Sequence, residues 1–210
     1  MLKKLRIACD GAAASGKSTG AKLIAKQYKL LLFNSGLYYR YASFLILKNK
    51  PKNKIKYLEE NLNNIPYKKI SKLDIYSEEI NKHVAVIAQQ KNIRKIIDNL
   101  QKKIIKNNNH ICIEGRDIAS KILNKDPKYD IAFYFKCNLK VASVRRWIDL
   151  KKKIPLNEVK KSLRLRTRLD KNRTHSPLIR VKDSMVIQSD KLNKVQMLKK
   201  MVNTIEKKIK

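Results

Sequence analysis

The chain has 210 residues, with 50 Lys and Arg against 17 Asp and Glu, a formal net charge of +33, and 43% hydrophobic residues. That length suits one domain with inserts and a sizeable core, and no run of about 18 apolar residues suggests a membrane span. The basic residues are mostly Lys and are spread through every segment, with Asn and Ile also abundant; this argues for a compositional bias with solvated Lys faces over a dedicated nucleic-acid footprint.

Met1-Leu2-Lys3-Lys4 leads directly into an apolar run, Leu5 to Asp10, that reads as a buried first strand, so no signal peptide is expected. The strand runs into Gly11-Ala12-Ala13-Ala14-Ser15-Gly16-Lys17-Ser18, a complete G-x-x-x-x-G-K-[ST] loop. A helical pattern with Leu23, Ile24 and Tyr28 on one face follows. In that context the motif is a phosphate cradle: backbone N–H groups of the glycine turn and the positive end of the helix face the phosphate oxygens. Gly11 through Thr19 form the expected ATP-binding segment, Lys17 reaching the β- and γ-phosphates and the Ser18 hydroxyl serving Mg²⁺.

Leu30 to Phe33 predicts a second strand of the fully buried type. From Tyr41 to about Lys82 the pattern loosens around Asn and Lys clusters, Pro51 and Pro66, and this stretch is expected to be an inserted, substrate-side subdomain. Ile80 to Lys106 predicts one long helix or two joined ones, with Val84, Ile87, Ala88, Ile96, Ile97, Leu100 and Ile104 at helical spacing. Strands follow at His110–Ile113 and Asp130–Phe135. A helix then starts near Leu139 with Val141, Val144 and Ile148, and a break comes at Lys151 to Pro155. A helix from about Asn157 to Leu169, a strand at Met185–Ile187 and a helix from Val195 to Ile209 complete the chain. Alternating strands and helices predict an α/β fold: an open, parallel, five-stranded sheet flanked by helices, with ligands at the carboxyl ends of the strands. Cys9, Cys112 and Cys137 each fall in a predicted buried strand with no C-x-x-C pair, as expected of reduced thiols in a cytoplasmic protein. His83, His110 and His175 are isolated and are read as surface or packing residues.

Three further blocks sit where strands two and three end and near residue 166: Asn34-Ser35-Gly36-Leu37-Tyr38-Tyr39-Arg40, Glu114-Gly115-Arg116-Asp117, and Arg166, Asp170, Arg173 followed by Ser176-Pro177-Leu178. With the phosphate loop before them, in this order and spacing, they resemble bacterial cytidylate kinase, a small P-loop kinase family that phosphorylates CMP and dCMP. The resemblance covers nearly the whole chain. It implies a single kinase domain with core segments 1–40, 83–149 and 160–210, a nucleoside-monophosphate-binding insert at about 41–82, and a short basic lid at about 150–159.

The resemblance also implies the residue roles. Ser35, Arg94, Asp117 and Arg173 look like the cytosine-contacting set. Arg40 and Arg116 resemble clamps on the acceptor phosphate, Arg166 and Asp170 the pair that reaches the sugar, and Tyr39 a neighbour of the acceptor nucleotide. Lys17, Arg40, Arg116 and Asp117 are the catalytic candidates, with Arg145, Arg146, Arg164 and Arg168 as further arginines suited to phosphate. Three positions depart from the family pattern: Ala12 where Pro is usual, Asn34 where Asp is usual, and Ala85 where a sugar-contacting Ser is common. The implied partners are ATP with Mg²⁺ and CMP or dCMP, with no obligate nucleic acid or membrane, and the family default is a monomer. The alternatives are another nucleoside monophosphate kinase, for UMP or for both UMP and CMP, and a nucleotide-switched RNA-binding factor suggested by the charge.

Overall fold

A computed structural model describes residues 4–63 and 65–209. The expected lead-in at Met1 to Lys3, position 64 and the last residue of the expected core lie outside it. The chain divides into two compact units, residues 1–33 with 108–210, and residues 34–107. The insert expected at 41–82 falls inside the second.

The first unit is built on strands β1 (Leu5–Gly11), β2 (Leu31–Asn34), β3 (His110–Gly115), β4 (Ile131–Lys136) and β5 (Met185–Gln188), in the order β2-β3-β1-β4-β5. The β1–β3, β1–β4 and β4–β5 pairings are parallel. β1 is therefore central, and the strand order reverses there: β3 lies on one side and β4 on the other. In such sheets ligands bind at the carboxyl ends beside that reversal.

Alternation along β1 decides what each face does. Leu5, Ile7 and Cys9 join Ile131, Phe133 and Phe135 of β4 in the main core. That core is covered by Ala21, Ile24 and Ala25 of α1 (Lys17–Gln27) and by Met197, Met201 and Ile205 of α9 (Lys194–Ile209). The other β1 face carries Arg6, Ala8 and Asp10, all buried. Cys9 and Cys112 are buried free thiols on adjacent strands. Cys137, expected in a strand, lies one residue beyond β4 and is only half-buried, because the chain has already left the sheet to start α7 (Leu139–Asp149).

Helix α7 packs on α8 (Leu156–Asn172) through Ala142, Val159 and Leu163, with Leu139, Trp147 and Leu150 alongside. The stripe read from the sequence, Val141, Val144 and Ile148, is on the other side of α7 and is 37%, 41% and 56% exposed. Between the two helices Lys151 and Lys152 both take left-handed backbone angles (φ 54° and 60°).

The second unit is helical: α2 (Gly36–Asn49), α3 (Lys54–Leu62), the single turn α4 (Tyr67–Ile70), α5 (Glu78–Ile87) and α6 (Lys91–Lys106). The Asn- and Pro-containing spots that interrupt the sequence pattern are largely helix starts. Asn53 accepts the Lys56 N–H at 3.1 Å and caps α3, Pro66 precedes α4, and Ser77 accepts the Ile80 N–H at 3.2 Å to cap α5. The long helical pattern from residue 80 resolves into two helices, because Gln90 is extended (φ −79°, ψ 117°). Ile93, Ile97 and Ile105 of α6 are fully buried, while Ile104, expected on that stripe, is half-buried.

Candidate active site

The phosphate loop leaves β1 at Gly11 and enters α1 at Lys17. Ala14 (φ 56°) and Gly16 (φ 82°) take left-handed angles on either side of Ser15, the alternation that turns successive N–H groups into one anion-binding hollow. Two glycines are required by contact. A Cβ on Gly11 would lie 2.7 Å from the Phe135 carbonyl oxygen, and one on Gly16 would lie 2.9 Å from Ser189 Cβ. Gly16 also abuts the Arg145 guanidinium, which donates to Ser189 Oγ at 2.9 Å and to its carbonyl at 2.8 Å. Arg145 thus braces the loop from behind.

Inside the loop the Lys17 ammonium is 3.9 Å from Glu114 Oε2, and the Ser18 hydroxyl donates to the same carboxylate. Glu114 is buried at the end of β3. The sequence pattern places it at the head of the Glu114-Gly115-Arg116-Asp117 block, closing the apolar run Ile111-Cys112-Ile113, but assigns it no role. Its meaning depends on β3 lying next to β1 in the sheet.

The block after β3 forms a second feature. Arg116 Nε donates to Asp170 Oδ2 at 3.0 Å, Arg166 Nε approaches the same oxygen at 3.2 Å, and Arg173 Nη1 lies 3.7 Å from Asp170 Oδ1. Arg173 Nη2 is also 3.4 Å from Asp117 Oδ1. Burial pushes the Asp170 carboxyl up, but Arg116, Arg166 and Arg173 outweigh it and hold the group below its usual value of 3.8. One buried carboxylate thus organises three guanidinium forks, and the five residues Arg116, Asp117, Arg166, Asp170 and Arg173 come together as a single network. The spacing of the last block follows from its local bonds. Arg173 Nε donates to the Ser176 carbonyl at 2.5 Å, and the N–H of buried Leu178 bonds the Asp170 carbonyl at 2.8 Å. Arg164 and Arg168 are exposed on α8, outside this network.

Asp10, at the end of β1, carries the other missed carboxylate. It accepts the N–H groups of Ile118 at 2.9 Å and Ala119 at 2.8 Å. Burial raises its carboxyl from 3.8 to about 7, opposed by those two hydrogen bonds.

In the second unit, Ser35 precedes α2 and is buried. Asn34, the departure from Asp, bonds the Gly36 N–H at 3.0 Å through Oδ1, and its own N–H donates to the Tyr67 hydroxyl at 2.8 Å. Arg40 donates to Asn81 Oδ1 at 2.6 Å and lies over the Tyr76 ring at 4.5 Å. Buried Arg94 donates to the Ala88 carbonyl at 3.1 Å, and its guanidinium stands 5.5 Å from the centre of the Tyr39 ring. Ala85 lies half-buried on α5. Within this unit the structure therefore pairs Arg94 with Tyr39, while Arg40 turns to Tyr76 and Asn81.

The profile of the family described as cytidylate kinase matches residues 7–207. The chain belongs to the cytidylate kinase family. Relatives agree in length as well as in sequence. The cytidylate kinase of Phytoplasma mali (strain AT) is 30% identical over 224 residues, covering 97% of this chain and 95% of its own. That of Alkaliphilus oremlandii (strain OhILAs) is 28% identical over 218 residues, covering 96% and 98%. Among solved structures, the shikimate kinase of Acinetobacter baumannii in complex with shikimate superposes with a TM-score of 0.53 at 13% identity, covering 98% of this chain and 94% of that one; the likeness is one of fold. As a member of the cytidylate kinase family, the protein is a phosphotransferase on a nucleotide-binding P-loop. No helix among the described residues is long and apolar enough to cross a membrane.

Proposed function

We propose that the protein transfers the γ-phosphoryl group of ATP to CMP and dCMP, yielding ADP with CDP or dCDP. The observation that carries this reading is the buried Asp170 with Arg116, Arg166 and Arg173 around it and Asp117 against Arg173, in a chain that the cytidylate kinase profile matches over residues 7–207. Three forks on one buried carboxylate form a rigid, strongly cationic surface suited to a small anionic acceptor.

In this reading Gly11 through Thr19 hold the ATP phosphates, and Lys17 neutralises charge on the moving phosphoryl group. Arg40 and Arg116 clamp the acceptor phosphate so that its oxygen is aligned with the γ-phosphorus. Such a transfer asks little covalent work of the side chains and much positioning. Ser35, Arg94, Asp117 and Arg173 contact the base, with Tyr39 beside it. Asp117 accepts from the exocyclic amino group of cytosine, which uracil lacks, so the wrong base forgoes that hydrogen bond. Arg166 and Asp170 reach the sugar. Residues 150–159 close over ATP and exclude water. The protein acts as a cytoplasmic monomer.

Mg²⁺ fits the residues present. Ser18 and Glu114 put a hydroxyl and a carboxylate together beside Lys17, the hard oxygen donors that Mg²⁺ takes alongside substrate phosphates. They would hold the ion, which when bound supplies charge neutralisation on the phosphate oxygens.

The test is ADP release from ATP with CMP, dCMP, UMP or AMP added. CMP and dCMP should drive turnover well above the ATP-only rate. Turnover best with UMP would favour a uridylate-directed kinase. No stimulation by any acceptor would end the kinase reading and leave the RNA-binding alternative to a binding assay.

A further inference from the structure

Residues 118–122 form a single π-helical turn after Asp117. Such turns are rare and concentrate at functional sites. The carbonyl of Asp117 accepts the N–H groups of Lys121 at 2.9 Å and Ile122 at 3.2 Å, and that of Ile118 accepts from Leu123 at 2.7 Å. The first N–H groups of a helical turn have no partner within the turn. Here the two that open it, at Ile118 and Ala119, are both taken by one carboxylate from a different strand, Asp10 of β1, at 2.9 and 2.8 Å. Asp10 is buried, and a carboxylate in such a place is costly unless its bonds are used. Lys17 and Ser18 of the phosphate loop meet a different carboxylate, Glu114. The two bonds of Asp10 instead fix the chain directly after Arg116 and Asp117.

We propose that Asp10 is a positioning residue for the acceptor: by holding the Ile118 and Ala119 N–H groups it pins Asp117 and Arg116 to the strand that carries the phosphate loop. The inference rests on the reading of Asp117 and Arg116 as acceptor ligands. In this arrangement β1 delivers two anchors from adjacent residues. Gly11 begins the cradle for the donor, and Asp10 fastens the loop that meets the acceptor, so both are referred to the same piece of backbone.

The experiment compares wild type with Asp10→Ala and Asp10→Asn in two measurements: KM for CMP and for ATP, and hydrogen exchange of the backbone amides. Removing a shared acceptor from two buried donors should raise the KM for CMP roughly 10- to 100-fold and leave the KM for ATP nearly unchanged. The amides of Ile118 and Ala119 should exchange faster, while those of α1 keep their protection. Asn keeps one acceptor oxygen, so Asp10→Asn should fall between wild type and Ala; it also carries the comparison if the Ala variant fails to fold. An equal rise in both KM values, or unchanged exchange at Ile118 and Ala119, would overturn the proposal. Faster exchange at those two amides in an enzyme that CMP does not stimulate would uphold the pinning role and place the error in the acceptor assignment.

Discussion

The phosphate loop and the arginine cluster sit beyond the ends of neighbouring strands of one sheet, yet they are made in opposite ways. The loop is a contiguous run of nine residues whose work is done largely by backbone N–H groups, so small residues such as Ala12, Ala13 and Ala14 suffice in it. The cluster gathers long side chains from positions 116, 166, 170 and 173 around one carboxylate. Backbone cradles depend on dihedral angles and close contacts, whereas side-chain clusters depend on charge balance. The two should therefore fail differently.

The largest effect is expected in the cluster. Asp170→Ala leaves three guanidinium groups gathered without the carboxylate they share, and breaking a buried ion pair in this way costs about 3–5 kcal/mol. Urea unfolding should show that loss, and any folded enzyme should have a raised KM for CMP with little change for ATP. A stability loss with an unchanged KM for CMP would make the cluster a structural knot only. On the donor side, Lys17→Ala should lower kcat roughly 10²- to 10³-fold, the scale of removing one charge-stabilising donor, measured with both substrates saturating.

Gly16→Ala adds a Cβ 2.9 Å from Ser189 Cβ at a φ of 82°, strain of about 1–3 kcal/mol. It should raise the KM for ATP and spare that for CMP, the mirror image of Asp170→Ala. If both variants disturb both substrates alike, the division between donor cradle and acceptor cluster is wrong.

Two buried carboxylates give the comparison a pH axis. Asp170 is held below 3.8 in the fold, so its contribution to stability is present above that value and is lost only as pH falls through its lower folded value. Asp10, raised to about 7, runs the other way. The fold binds its proton more tightly than the unfolded chain does, so its contribution is complete below about 3.8 and is lost as pH rises through about 7. Relative to wild type, Asp10→Asn should therefore look more stable at pH 8 than at pH 5 in urea titrations, whereas Asp170→Asn should show no such trend over that window. The smallest effect is a control in the helical unit. Asn53→Ala removes the α3 cap, costs about 1 kcal/mol, and should leave both KM values alone.

What the sequence disclosed follows the same division. Gly11 to Thr19, the strands and the order of the motif blocks are local patterns, and the structure has strands where the pattern put them; β2, expected to be fully buried, is instead an edge strand with Leu31 exposed, because only one of its sides has a neighbouring strand. The Asp170 network could be anticipated only through the family pattern, since no spacing rule brings residue 116 to residue 170. Glu114 and Asp10 went unread because their roles come from strand adjacency: each lies at a strand end, and its partners belong to a neighbouring strand, loop or helix. The stripe Val141, Val144 and Ile148 has good helical periodicity, but so do Leu139, Trp147 and Leu150, and it is the second that packs against α8. Periodicity identifies a helix without choosing between two apolar stripes. The 41–82 stretch looked irregular because the Asn and Pro residues that start its helices resemble loop punctuation.

The most direct measurement follows the phosphoryl group itself: γ-labelled ATP incubated with the enzyme and CMP, dCMP or UMP, and the products separated. The account predicts label in CDP and dCDP, with far less in UDP. Label appearing only as inorganic phosphate, or equally in UDP and CDP, would contradict it.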